Sequence, residues 1–159
     1  MARTDWDRSS QRWLPLWLPM IVAVLIVARF ISSRYGVKSP VDLVRWVPAD
    51  RAERVSAVLH KPIFYEFSAD WCAPCHAMED EVFHDQRLAA MINNRFVPVR
   101  LVDTQRERGS NPPEVARLES LYRVAGYPTI VVARPGAAPQ KVFGYGGRSQ
   151  FERFLDGIH

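Results

Sequence analysis

The chain has 159 residues, 48% of them hydrophobic and 24% charged, with a formal net charge of +4. That length accommodates one domain plus a short appendage, and the composition is that of an ordinary globular chain. The arginines are scattered among nearly as many acids with no dense basic run, which argues against nucleic acid as a partner, and two cysteines make at most one disulfide.

Residues 1–12 form a polar N-terminal tail carrying Arg3, Arg8 and Arg12, and residues 13–31 are almost entirely apolar. About nineteen residues at 1.5 Å each can just span a hydrocarbon core of about 30 Å, so 13–31 is expected to be a transmembrane anchor. Trp13 and Trp17 stand at one end, where amphipathic rings favour the headgroup zone. Arg29, near the other end, can snorkel outwards, and Pro15 and Pro19 fall in the first turns, where a missing amide matters least. A cleaved signal peptide has a similar layout, but no small-x-small cleavage site precedes Arg29. A buried globular helix would be unusual without polar positions on one face. Arginines flank both ends, so the positive-inside rule does not decide orientation. The dithiol below favours a short N-terminus inside and the domain outside: a single-pass protein of the inner (cytoplasmic) membrane with an extracytoplasmic, periplasmic domain.

Residues 32–48, punctuated by Gly36, Pro40 and Pro48, read as a linker, and 49–159 as the folded domain. Within it, Asp50 is expected to cap a helix over 50–60, which Lys61-Pro62 ends. Ile63 to Phe67 reads as a buried central strand, and Glu66 within it is an oddity. A carboxylate there needs either a role or a solvated face, and the residues alone leave both open.

The strand runs into Ser68-Ala69-Asp70-Trp71-Cys72-Ala73-Pro74-Cys75-His76, which holds both cysteines, and a helix-compatible run follows. A cysteine at the first turn of a helix meets free amides and the positive end of the macrodipole, which favour thiolate over thiol. Cys72 is therefore the expected nucleophile and Cys75, one turn deeper and expected to be more buried, the resolving thiol, with Pro74 an early helical residue. Cys72, Cys75 and Glu79 share a helix face, and Glu66 approaches the same place from the strand. Two carboxylates there would disfavour the thiolate and raise their own pKa values, and one could exchange the Cys75 proton. On spacing alone, a solvated Glu79 is the simpler reading. Cys72-Ala73-Pro74-Cys75-His76 also fits a haem-attachment pattern, but that expects a mostly helical fold. A zinc site needs more ligands than the dispersed His60, His84 and His159 supply. No cofactor and no metal are expected.

Asp85 can cap a helix over 86–93, a strand follows over 95–102, and 103–112 is a polar loop. A helix over 113–122, strands over 130–133 and 141–144, and a last helix opened by the capping box Ser149 to Glu152 complete the chain. The order after the anchor is α-β-α-β-α-β-β-α.

That order, the Trp-Cys-x-x-Cys motif and Gly126-Tyr127-Pro128-Thr129 together resemble the thioredoxin family over roughly residues 45–158. The resemblance implies an α/β fold, a three-layer sandwich with a central mixed β-sheet, here preceded by one N-terminal transmembrane helix. It implies that Pro128 is a cis-proline facing the dithiol and that Trp71, Tyr127, Pro128 and Thr129 bind substrate, with the Tyr127 backbone free to pair with an extended segment. More narrowly, Glu66, Ala69-Asp70-Trp71-Cys72, Cys75 and Glu79 resemble the C-terminal domain of the thiol:disulfide interchange protein DsbD. In that family acids at these two spacings tune the nucleophilic cysteine, while the multi-helix membrane core is missing here. The implied activity is a membrane-anchored thiol:disulfide oxidoreductase that reduces disulfides of exported proteins, with disulfide-bearing or thiol proteins and a membrane electron donor as partners. A disulfide oxidase or isomerase, and a redox-inactive binding module on the same fold, are the alternatives.

Overall fold

A computed structural model describes residues 17–34 and 42–158. Helix α1, Trp17–Arg34, belongs to one compact unit, and everything from Asp42 onwards to a second. The apolar side chains of α1 between Trp17 and Val27 are exposed. Its 18 residues give about 27 Å of helix, and among the described residues no helix is long and apolar enough to cross a membrane. Residues 13–16 of the expected anchor lie outside the described residues.

The second unit runs α2 (Ala49–Leu59), β1 (Ile63–Ala69), α3 (Ala73–Met78), α4 (Gln86–Arg95), β2 (Val97–Asp103), α5 (Gln105–Arg108), α6 (Pro113–Tyr122), β3 (Thr129–Ala133), β4 (Gln140–Phe143) and α7 (Arg148–Asp156). The strand order is β2-β1-β3-β4, with β1 parallel to β2 and antiparallel to β3, and β4 antiparallel to β3. This is the expected mixed sheet.

Alternation along β1 builds the three layers, because successive side chains point to opposite faces. Ile63, Tyr65 and Phe67 join Val97, Val99, Leu101 and Val131 in a core closed by Ala52 of α2 and by Val115 and Leu118 of α6. Phe64 joins Ile130 and Val132 on the other face, beneath Met78, Leu88, Ile92, Phe151 and Leu155 of α3, α4 and α7. Glu66 falls in step with Phe64, so its carboxylate lies under the helix that carries the dithiol. Burial on both faces explains why β1 reads as an apolar run apart from Glu66 and Ser68.

Several boundaries differ from the expected ones. Helix α2 is preceded by Pro48, which offers no side-chain cap, so Asp50 lies in the first turn instead of capping it. The Ser149–Glu152 box does not form, because α7 starts at Arg148 behind Gly147, whose φ of 90° suits glycine. A short helix, α5, occupies part of the expected loop. Glu79–Phe83 is a π-helical turn continuing α3. Residues 42–48, read as linker, pack on the domain: Val44 is buried, Leu43 N–H donates to Phe83 O, and Val47 N–H donates to Pro98 O at 2.7 Å. An apolar Val44 with core to bury against outweighs the turn signals around it.

The expected Asp85 cap does form, with Oδ1 accepting the Leu88 N–H at 2.9 Å. Asp85→Ala is predicted to lower unfolding free energy by about 1 kcal/mol, read as a fall in the denaturant midpoint at unchanged slope.

Candidate active site

The dithiol lies where β1 hands the chain to α3. Cys72 is the N-cap, Ala73 opens the helix, and Pro74 takes an early position that needs no amide donor. Cys72 Sγ and Cys75 Sγ are joined in a disulfide, and the Cys75 N–H lies 3.3 Å from Cys72 Sγ. Both cysteines are buried, Cys72 at 3% and Cys75 at 5% exposure, so the expected difference in depth is absent. They pack with Ala69 and the ring of Tyr127.

The Tyr127–Pro128 bond is cis, as expected. A Cβ at Gly126 would come 3.0 Å from the Phe143 ring, so the loop and that ring lie close together here. Thr129 Oγ1 donates to Gly126 O at 2.7 Å, and Gly144 N–H donates to Pro128 O at 2.8 Å, pinning the loop from both ends. Thr129 is itself buried with its hydroxyl engaged internally, so its side chain supports the loop from beneath. Trp71 is 47% exposed, stands edge-on to Tyr127 at 5.9 Å, and carries the Arg106 guanidinium 5.4 Å over its ring. Tyr127 Oη donates to Glu119 at 2.5 Å, and burial together with that bond pushes its hydroxyl well above the usual tyrosine range.

On the other side of α3 lies a cavity of about 170 Å³ lined by Glu66, Ser68, Cys75, His76, Glu79 and Arg100, among others. Cys72 is not among its lining residues, so the two expected carboxylates flank Cys75, not the nucleophile. Glu66 is buried, and burial pushes its carboxyl up to about 7, while Arg100 and the Ser68 hydroxyl pull against that rise. Glu79 is partly exposed, which matches neither a fully solvated nor a fully buried position. His76 is exposed, its Nε2 2.8 Å from Asp70 O.

Sequence reasoning missed Arg100. Its Nε donates to Glu66 Oε2 at 3.1 Å and its Nη1 to Glu79 Oε1 at 3.2 Å, so the two acids share one cation. The strand β2 pattern did contain the signal, a lone arginine between buried neighbours. What places it beside Glu66 is the β1–β2 register, in which the two are directly paired. Among the described residues, no group of three His, Cys, Asp or Glu is arranged to hold a metal ion.

A mixed sheet between two helical layers, with a cysteine pair capping a helix opposite a cis-proline loop, defines a thioredoxin-like sandwich carrying a dithiol for thiol–disulfide exchange. The sequence profile of the family described as Thioredoxin-like matches residues 45–135, more than half of the chain, and the chain belongs to that family. It is 27% identical over 103 residues to mouse spermatogenesis-associated protein 20, a match covering 64% of this chain and 12% of that protein. The chain therefore spans about an eighth of the curated relatives it matches. The fold is similar to that of the DsbH oxidoreductase, with a TM-score of 0.58 at 21% identity over 72% of this chain and 85% of that one. It is also similar to the oxidised C-terminal domain of DsbD from Neisseria meningitidis, with a TM-score of 0.53 at 20% identity over 70% of this chain and 91% of that one.

Proposed function

We propose that this chain is a membrane-tethered protein-disulfide reductase working through Cys72 and Cys75. The observation that carries the reading is the cysteine pair capping α3 against the Tyr127–Pro128 loop. In the reduced protein the Cys72 sulfur keeps the N-cap position, where the Cys75 amide and the helix dipole stabilise a thiolate. That thiolate attacks a substrate disulfide, forming a mixed disulfide and releasing one substrate thiolate. Cys75 then gives up its proton, for which Glu66 across the shared cavity is a buried acceptor, and attacks Cys72 Sγ. The mixed disulfide breaks, the second substrate cysteine leaves reduced, and the chain keeps the Cys72–Cys75 disulfide. Two electrons pass to the substrate in each cycle, and an external dithiol donor in the membrane must return them.

Trp71, the Tyr127 backbone and the Pro128 ring are the surfaces offered to an extended substrate, with Thr129 holding the loop. Residues 13–31 tether the domain to the inner membrane with the dithiol on the extracytoplasmic side. Their apolar run, its aromatic end and the exposed apolar side chains of α1 support the tether, and the dithiol itself supports the side.

The reduced full-length protein is expected to transfer its electron pair to a protein disulfide one for one, and to sediment with membranes through alkaline carbonate extraction. A reduced dithiol that leaves every protein disulfide intact would refute the reductase. Release into the carbonate supernatant would refute the tether.

A further inference from the structure

Arg100 holds more partners than the two acids beside Cys75. Its Nη1 also lies 2.9 Å from Asp42 Oδ2, and its guanidinium is stacked 4.4 Å over the Trp46 ring and 5.3 Å from the Phe83 ring. Asp42 in turn accepts from Trp46 Nε1 at 2.6 Å and from the Val44 N–H at 3.0 Å. The backbone between them is clamped by one side chain: Asn93 Oδ1 accepts the Arg45 N–H at 2.8 Å, and Asn93 Nδ2 donates to Leu43 O at 2.9 Å. Trp46 meets Phe83 edge-on at 5.1 Å, so the π-helical turn that begins at Glu79 supplies the other wall. A cation alone between two acids would swing on a flexible stem. Here its plane is fixed by aromatic faces and its charge by three carboxylates.

We propose that residues 42–47 form a strap that positions Arg100 as a fixed counter-charge between Glu66 and Glu79, making this segment part of the dithiol site. In sequence the strap stands between the apolar helix α1 and the domain, and its first side chain, Asp42, competes with the site's own acids for one guanidinium. Arg100 acts through Glu66 and Glu79 and is a positioning residue. The other charged or titratable groups lining the same cavity are Asp70 and His76. The consequence for the dithiol rests on the functional reading above; the consequence for Glu66 does not.

The test uses full-length protein with labelled glutamate carboxyls, followed by NMR. Arg100→Met is expected to move the Glu66 titration upward by at least about one unit, a tenfold change in its protonation equilibrium, with Arg100→Lys recovering part of it. Asn93→Ala removes both side-chain clamps without removing a charge and is expected to move it the same way. On a Glu66→Gln background, where that carboxyl cannot titrate, Arg100→Met withdraws a cation from the cavity that Cys75 lines. Read in alkali, where the thiols ionise, the equilibrium with glutathione is expected to shift at least threefold towards the disulfide, about 14 mV for a two-electron couple. Partial return with Arg100→Lys would separate loss of charge from a merely structural defect. A Glu66 titration unmoved in folded Arg100→Met overturns the counter-charge, and one unmoved in Asn93→Ala overturns the strap. Because glutathione exchange needs only the two cysteines, both readouts stay decisive even for a chain that reduces no protein substrate.

Discussion

Cys75→Ser protein, offered a disulfide-bearing substrate, is expected to accumulate as a covalent adduct through Cys72, while Cys72→Ser protein exchanges nothing. Each substitution should bring turnover down to the uncatalysed background, because exchange needs an attacking thiolate and a second thiol to resolve the adduct. The assignment of roles comes from position. Cys72 is the N-cap, with an amide 3.3 Å from its sulfur, and it follows Trp71 and packs with the Tyr127 ring. Cys75 instead lines the cavity shared with Glu66 and Glu79. Equal burial of the two side chains means that depth does not distinguish them. The amide at the N-cap sulfur does. Gel analysis without reductant reads the adduct, and peptide mapping reads its sulfur. Adducts that form on Cys75 in Cys72→Ser protein, with none on Cys72 in the reciprocal variant, would invert the assignment.

Glu66→Gln is expected to flatten the pH dependence of stability. The carboxyl titrates near 4.5 in an unfolded chain and is pushed up to about 7 in the fold, chiefly by burial. A folded pKa raised above the unfolded one means that the native state holds the proton more tightly. The stabilisation is complete below about pH 4.5 and is lost as pH rises through 7. A shift from 4.5 to about 7 corresponds to about 3 kcal/mol across that window. Glutamine fills nearly the same volume, can still accept from Arg100, and carries no charge to desolvate. Unfolding free energies measured from pH 4 to 9 should therefore fall more steeply in the wild type than in the variant, with the gap closing at low pH. Parallel curves would show that the buried carboxyl does not hold its proton at neutral pH.

Much of the fold is legible in local pattern. The apolar run Ile63–Phe67, the Asp85 cap and the Pro74 position follow from short-range chemistry, the cis-Pro128 loop follows from the family resemblance, and each takes its expected place. What local pattern does not carry is register. Glu66 stands out in its strand as a buried acid, and Glu79 by its spacing from Cys75, but the cation between them lies 34 residues beyond Glu66. Arg100 reaches both only because β2 pairs with β1 in the one register that sets it opposite Glu66. Helical spacing likewise puts Glu79 on one face with both cysteines, whereas in the fold only Cys75 lines the cavity that holds the two acids. The strap at 42–47 fails to read as structure because its pattern is too short for any period. Its contacts are to Asn93, Phe83, Pro98 and Arg100, all distant in sequence. The α7 start is a smaller case of the same kind, in which Gly147 sets the entry angle and the capping-box residues fall inside the helix.

The most direct measurement is the reduction potential of the Cys72–Cys75 couple in the full-length protein, by equilibration with glutathione. A reductant of exported proteins should lie near the thioredoxin value, about −270 mV, so that electrons flow from this chain to substrate disulfides. A value near that of the oxidant DsbA, about −120 mV, would reverse the flow and contradict the reductase.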